Sequence, residues 1–194
     1  HNLNLVSPTP YLPSIVDALT IAKKDGLSLP VIYNTNGYEL PAMLEHLDGL
    51  IDIYLPDFKY YTSEVAAELS GAPDYFVRAA TAILNMFKQV GPPRFDQTGL
   101  MTGGLLIRHL VLPNYLDESK RILEWISQNL PQTVYLSLMA QYFPTYQASE
   151  NPRLNRALTQ AEYNEVVDYC LELGLENGFI QEISAADFRY TPEF

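Results

Sequence analysis

The sequence predicts an α/β fold on parallel strands, a (β/α) barrel, whole or partial, and three observations lead there. Short apolar runs alternate with helical periods along the chain. Most of the runs are continuously apolar, as strands in a covered parallel sheet are. The first strand-to-helix turn, SPTPYLP (residues 7–13), contains no glycine, whereas a doubly wound dinucleotide fold would carry a glycine-rich phosphate turn there. A barrel gathers its chemistry at the carboxyl ends of its strands, where the βα loops meet.

The elements follow in order. NLNLVSP (2–8) alternates as a short strand and is closed by Pro8 and Pro10. Over 11–26, Leu12, Ile15, Val16, Leu19 and Ala22 fall on one helical face, with Gly26 as the stop. LPVIYNTNG (29–37) is a second strand ending in a turn, ELPAMLEHLDG (39–49) a helix, and GLIDIYLPDFKY (49–60) a third strand. Two helices succeed it, 62–71 and 73–91, the second with Pro73 in its first turn. A fourth strand (103–113), a helix (116–130) and a fifth strand (132–142) repeat the rhythm. A polar stretch (143–157) precedes the last helix (159–173), and GFIQEI (178–183) is a short apolar run. Phe76, Phe87 and Trp125 read as core. The chain is expected to be one domain, with 1–145 forming the barrel elements and 146–194 a C-terminal helix and tail that packs across the open bottom or edge.

Composition narrows the function. With 47% hydrophobic and 18% charged residues over 194 positions, the chain is globular and can bury a core. A net charge of −11 repels phosphate backbones, so no nucleic-acid partner is expected. No run approaches the roughly 18 to 20 apolar residues of a membrane span, which points to a cytoplasmic protein without a membrane partner. The single cysteine, Cys170, lies in a helical pattern and reads as a small buried hydrophobe. The chain opens at His1, without a methionine, directly into a strand pattern, which reads as a piece of something longer.

The strand ends deliver a polar ring. The first gives Ser7 and Thr9, the second Asn34, Thr35, Asn36 and Gly37, the third Asp57 and Lys59, the fourth Pro113 and Asn114, and the fifth Gln141 and Tyr142, while Arg108 and His109 lie within the fourth strand. Singly, Asn34 and Asn36 suit turns and Ser7 and Thr9 suit helix caps. Lys59 reads three ways: a Schiff-base nucleophile, a cation that clamps a ligand carboxylate or phosphate, or the partner of Asp57 on a solvated rim. Arg108, inside LLIRHLVLP, needs an anion to offset its desolvation, and Asp57 or a bound carboxylate would serve. His46 and His109 are lone histidines without a ligand pattern.

The ordered set NTNGYE, DIYLPDFKYY, IRHLVLPN and LSLMAQYFP resembles the later strands of radical S-adenosylmethionine (SAM) proteins similar to pyruvate formate-lyase activating enzymes, over about residues 2–183. The resemblance implies a partial (β/α)6 barrel, SAM and a [4Fe-4S] cluster at its mouth, a 5′-deoxyadenosyl radical, and a glycyl-radical enzyme as partner. It also implies a CxxxCxxC loop after the first strand. This chain has no such loop, so the first βα unit is expected to be missing, the cluster is not expected in this chain, and activity is expected of a longer parent. By the same resemblance Ser7 and Thr9 stand in the loop that touches the SAM amino group, as SPTP in place of GGEP, and Asn34 replaces an aspartate within NTNG, which also holds Asn36. Asp57 matches a cation-holding aspartate, Lys59 the lysine that reaches the SAM carboxylate, and Arg108 the family arginine. Gln141 falls where a histidine near the glycyl substrate is expected. A Schiff-base aldolase and a non-catalytic scaffold remain as alternatives.

Overall fold

The computed structural model describes residues 1–182. Its strands are β1 (Leu3–Val6), β2 (Val31–Thr35), β3 (Ile53–Pro56), β4 (Arg94–Phe95), β5 (Met101–Leu110), β6 (Tyr135–Met139) and β7 (Gly178–Ile180). The helices are α1 (Leu12–Lys24), α2 (Pro41–Glu45), α3 (Ser63–Ser70), α4 (Tyr75–Val90), α5 (Leu116–Asn129) and α6 (Gln160–Glu172). The sheet runs β1-β2-β3-β5-β6-β7 with every neighbour parallel, and β4 adds antiparallel to β5. Parallel neighbours joined by helical crossovers are the arrangement that the alternating pattern predicts.

The elements differ in detail from the sequence reading. Five strands were expected and seven are present among the described residues: β4 is a two-residue arm in a proline-rich loop, and β7 is the apolar run, ending at Ile180. The expected helix over 39–49 contracts to α2, with the following residues in turns. Pro73 lies ahead of α4, whose N-cap is Asp74, and not in its first turn. The tail from 183 onward lies outside the described residues.

The larger of two hydrophobic clusters lies between the sheet and the helices, and a small one, Tyr115, Tyr142 and Leu154, packs beside Leu69, Leu110 and Leu112. Val31, Tyr33, Tyr54, Leu105 and Ile107 are fully buried and share a cluster with α1, α2, α4, α5 and α6 side chains. Burial at this interface is worth about 1.5–3 kcal/mol per large side chain. On α4, Tyr75, Ala79, Ala82, Ile83, Met86 and Val90 are buried, a stripe at helical spacing. Phe76, Phe87 and Trp125 pack against the same core, and Cys170 is buried within it. β2, β6 and the end of β5 alternate in burial: on β5, Leu105 and Ile107 are sealed, while Leu106 and Arg108 are half-buried. The second face is thus an open, partly apolar surface, and the side chains on it come forward at the strand ends.

Candidate functional site

Alternation explains how the charges meet. Asp57 and Lys59, two residues apart after β3, point to the same side of the chain, and Asp57 pairs in parallel register with Arg108 of β5. The Asp57 Oδ1 accepts from Arg108 Nε at 2.8 Å and lies 2.7 Å from its Nη2, while Oδ2 is 3.5 Å from Lys59 Nζ. Arg108 Nη2 also donates to Asn34 Oδ1 at 2.8 Å, joining β2 to the cluster. One carboxylate between two cations leaves one surplus positive charge. The side chains of Asp57, Arg108 and Lys59 are 19%, 27% and 38% exposed, so the surplus faces a partly desolvated opening where an anion is held more strongly than in water.

The backbone under this cluster is fixed at several points. Asp57 N donates to Thr35 O at 2.8 Å and Phe58 N to Arg108 O at 2.8 Å. Lys59 N donates to the Tyr75 hydroxyl at 3.1 Å, whose proton is within reach of the carbonyls of Asn36 (2.8 Å) and Asp57 (2.9 Å). Gly37 adopts φ 80° and leaves no room for a side chain, because a Cβ there would lie 2.2 Å from Asp57 O.

His109, 1% exposed, places Nδ1 2.6 Å from Phe58 O and Nε2 2.8 Å from Ser119 Oγ. A carbonyl can only accept, so Nδ1 carries the proton and Nε2 accepts from Ser119. Burial pushes the His109 pKa down, which keeps the ring neutral. Its work is to hold Phe58, the residue between Asp57 and Lys59. His46 is exposed after α2.

Four of the eight residues singled out by the sequence, Asn34, Asp57, Lys59 and Arg108, form one connected cluster. Gln141 lies on the rim of the same cavity, and its Oε1 accepts from Gln181 Nε2 at 3.1 Å. The other three make hydrogen bonds within the protein scaffold. Asn36 Oδ1 accepts from Tyr38 N at 2.9 Å, a turn-forming bond. Ser7 has φ 50° and its N donates to Asn34 O. Thr9 caps no helix; its hydroxyl donates to Glu39 Oε1 at 2.6 Å.

Two carboxylates escaped the sequence reading. Glu39, 1% exposed, gathers Thr9, Thr35 and Tyr33 hydroxyls on Oε1 and so ties the first loop to β2. Glu118 Oε2 accepts from Tyr61 N at 2.7 Å and Thr62 N at 2.9 Å, anchoring the chain that leaves Lys59. Both act across more than one element, and the sequence offers no period that would pair them.

A cavity of about 550 Å³ opens beside the cluster. Asp57, Lys59 and Arg108 line one part, and Leu69, Leu110, Leu112, Tyr142 and Leu154 supply apolar wall. Gln147, Ala148 and Asn151 come from the segment between β6 and α6, which includes a short 3₁₀ helix at Tyr146–Glu150. That size and mixture are typical of sites for small molecules.

The likenesses to known proteins agree with this geometry at the level of fold. No family model matches the chain. It is 33% identical over 178 residues to an uncharacterized protein, MJ0674, of Methanocaldococcus jannaschii, an alignment covering 90% of this chain and 47% of that protein. The chain therefore spans about half the length of this curated relative. Among solved structures it resembles a domain of a pyruvate-formate lyase-activating enzyme from Bacteroides vulgatus, with a TM-score of 0.62 and 11% identity over 94% of this chain and 98% of that one. The fold is shared with that domain. No helix among the described residues is long and apolar enough to cross a membrane.

Proposed function

We propose that this chain is the SAM-binding part of a radical SAM protein of the pyruvate formate-lyase-activating type, acting on a glycyl-radical enzyme or another protein substrate. The observation that carries the reading is Asp57 shared between Lys59 and Arg108, with one positive charge left over at the parallel strand ends. Lys59 Nζ would grip the SAM carboxylate, with Arg108 beside it. Asp57 and Asn34 orient the guanidinium, and Asp57 offers oxygen to the positive side of the ligand. Ser7, Thr9, Asn36 and Gln141 would border the remaining parts of SAM. SAM supplies a primary carbon radical when it is reductively cleaved; this chain's residues bind and orient it.

The residues present do not fit a [4Fe-4S] cluster. Such a cluster requires thiolates, and the chain has one cysteine, Cys170, buried on α6 with its thiol pushed up to about 11 by burial. Thiolate ligands for such a cluster would have to come from residues other than these.

Direct binding tests the reading. Calorimetric titration of the 194-residue chain with SAM should give a saturable heat that weakens about tenfold, or about 1.4 kcal/mol, in Lys59→Ala. Equal affinity in the two proteins would refute the assignment. A Schiff-base role has less support, because Lys59 is ion-paired and 38% exposed, while such lysines are activated by desolvation. Borohydride trapping with a carbonyl substrate separates the two.

A further inference from the structure

The cavity beside the cations is lined in two layers. Asp57, Lys59 and Arg108 form the inner one. One step further along the strands, Leu110 of β5 stands beside Met139 of β6 in parallel register, and Leu112 follows two residues on. Leu69 of α3 lines the same space, and Leu69, Leu110 and Leu112 all pack on the small cluster of Tyr115, Tyr142 and Leu154. Leu69, Leu110, Leu112 and Met139 are only half-buried, so this outer layer is apolar surface that water still reaches.

A cationic floor next to an apolar wall fits a ligand divided in the same way, with a carboxylate at one end and hydrocarbon at the other. The floor has one positive charge in surplus, which one carboxylate neutralises. Glu68 is a further carboxylate in the lining, but it is exposed, and its Oε1 accepts from the Tyr115 hydroxyl and from Asn151 Nδ2, both at 3.2 Å. Water screens it, so the half-buried cations set the sign of the ligand's head group. The net charge of −11 is spread over the whole chain, and physiological salt screens it beyond about 8 Å.

We infer that the cavity binds a free aliphatic monocarboxylic acid, with its carboxylate on Lys59 and Arg108 and its chain along Leu110, Leu112 and Leu69. A single surplus charge serves a single carboxylate, so on the SAM reading, on which this exclusion rests, the acid and SAM displace one another. Such an acid regulates the site by occupying it and is not a reactant.

The test is a homologous series, acetate, butanoate and hexanoate, with hexan-1-ol and hexylammonium as head-group controls. Each is titrated into the 194-residue chain at neutral pH and constant ionic strength and followed by amide NMR shifts at Lys59, Leu69 and Leu112. Affinity should rise about fivefold from acetate to butanoate and again to hexanoate, as each step lays two more methylenes on the apolar wall. Hexanoate should bind about tenfold tighter than hexan-1-ol or hexylammonium. Lys59→Met, which keeps the stem and removes the charge, should erase that head-group preference. Leu112→Asn, close in volume, should flatten the series and leave acetate unchanged, and Leu69→Asn on α3 should flatten it too, so the outcome does not hang on the folding of one variant. A flat series in the wild type, a preference for the alcohol or the amine, or an unchanged preference in Lys59→Met overturns the inference. Hexanoate should also raise the apparent Kd of SAM in step with its own occupancy, and simultaneous binding of the two would overturn their exclusion. SAM binding that Lys59→Met weakens, beside a flat acid series, would sink the acid site alone; the predicted acid series with no SAM binding would sink the SAM reading alone.

Discussion

Asp57, Lys59 and Arg108 are delivered by two strands in register, whereas Gln147, Asn151 and Leu154 reach the same cavity from an irregular segment between β6 and α6. The first group is held by strand alternation and a parallel ladder, so its side chains follow from their spacing. The second is held by long-range side-chain bonds centred on Asn114, a residue with φ 63°. Asn114 Nδ2 donates to Arg153 O at 2.7 Å, its Oδ1 accepts from Arg156 Nη2 at 3.0 Å, and Arg156 pairs with both oxygens of Glu162. One wall is set by the sheet and the other by a clasp, so the two should fail under different perturbations.

The largest effect is expected at the sheet wall. Gly37→Ala introduces a Cβ 2.2 Å from Asp57 O at a positive φ, and urea unfolding should report a loss of about 3 kcal/mol together with loss of SAM binding. A neutral result would mean that the β2 and β3 loops are less tightly apposed than described.

His109→Phe removes two buried hydrogen bonds and leaves Phe58 O and Ser119 Oγ without partners, at a cost of about 2–3 kcal/mol. Its pH dependence has a definite sign. Because the folded pKa is lowered, the neutral ring's contribution is complete above the unfolded value of about 6.5 and declines as pH falls toward the folded value. Denaturation midpoints between pH 8 and 5 should therefore slope in the wild type and flatten in the variant.

The clasp should respond to acid. Glu162, held down to about 2 chiefly by Arg156, contributes fully above an unfolded pKa near 4.5 and loses that contribution as pH falls toward 2. Arg156 is 40% exposed, so solvent screening reduces the effect to about 2 kcal/mol. Glu162→Gln should loosen 143–158 at neutral pH, seen as faster amide exchange there, with β3 and β5 protection unchanged. Equal loosening of both walls would dissolve the distinction between them. The smallest stability effect belongs to Lys59→Ala, within about 0.5 kcal/mol, since its 3.5 Å pair with Asp57 is partly solvated.

The same contrast explains what was readable in advance. DIYLPDFK and LLIRHL disclosed the sheet wall because alternation places Asp57, Lys59 and Arg108 on one face once the strands are taken as parallel neighbours. The strands themselves look uniformly apolar, since Leu55 and Leu106 line the open face while Tyr54 and Leu105 fill the core, and the one-sided helix layer was hidden for that reason. Arg94 and Phe95 pair with β5 over two residues, too few to leave a pattern. Glu39, Glu68, Glu118 and Asn151 act through bonds to distant segments, and no local spacing records such pairings. The turn bond of Asn36 was legible in its residue type, whereas the Glu39 partner of Thr9, thirty residues away, was not.

The grip of the surplus positive charge at the strand ends on a ligand carboxylate can be read with a ligand that differs from SAM only by lacking that carboxylate. Affinities of SAM and of decarboxylated SAM should be measured for the wild type and for Lys59→Ala. The substitution should weaken SAM about tenfold and leave the decarboxylated compound nearly unchanged. Equal loss for both ligands, or none for either, would contradict it.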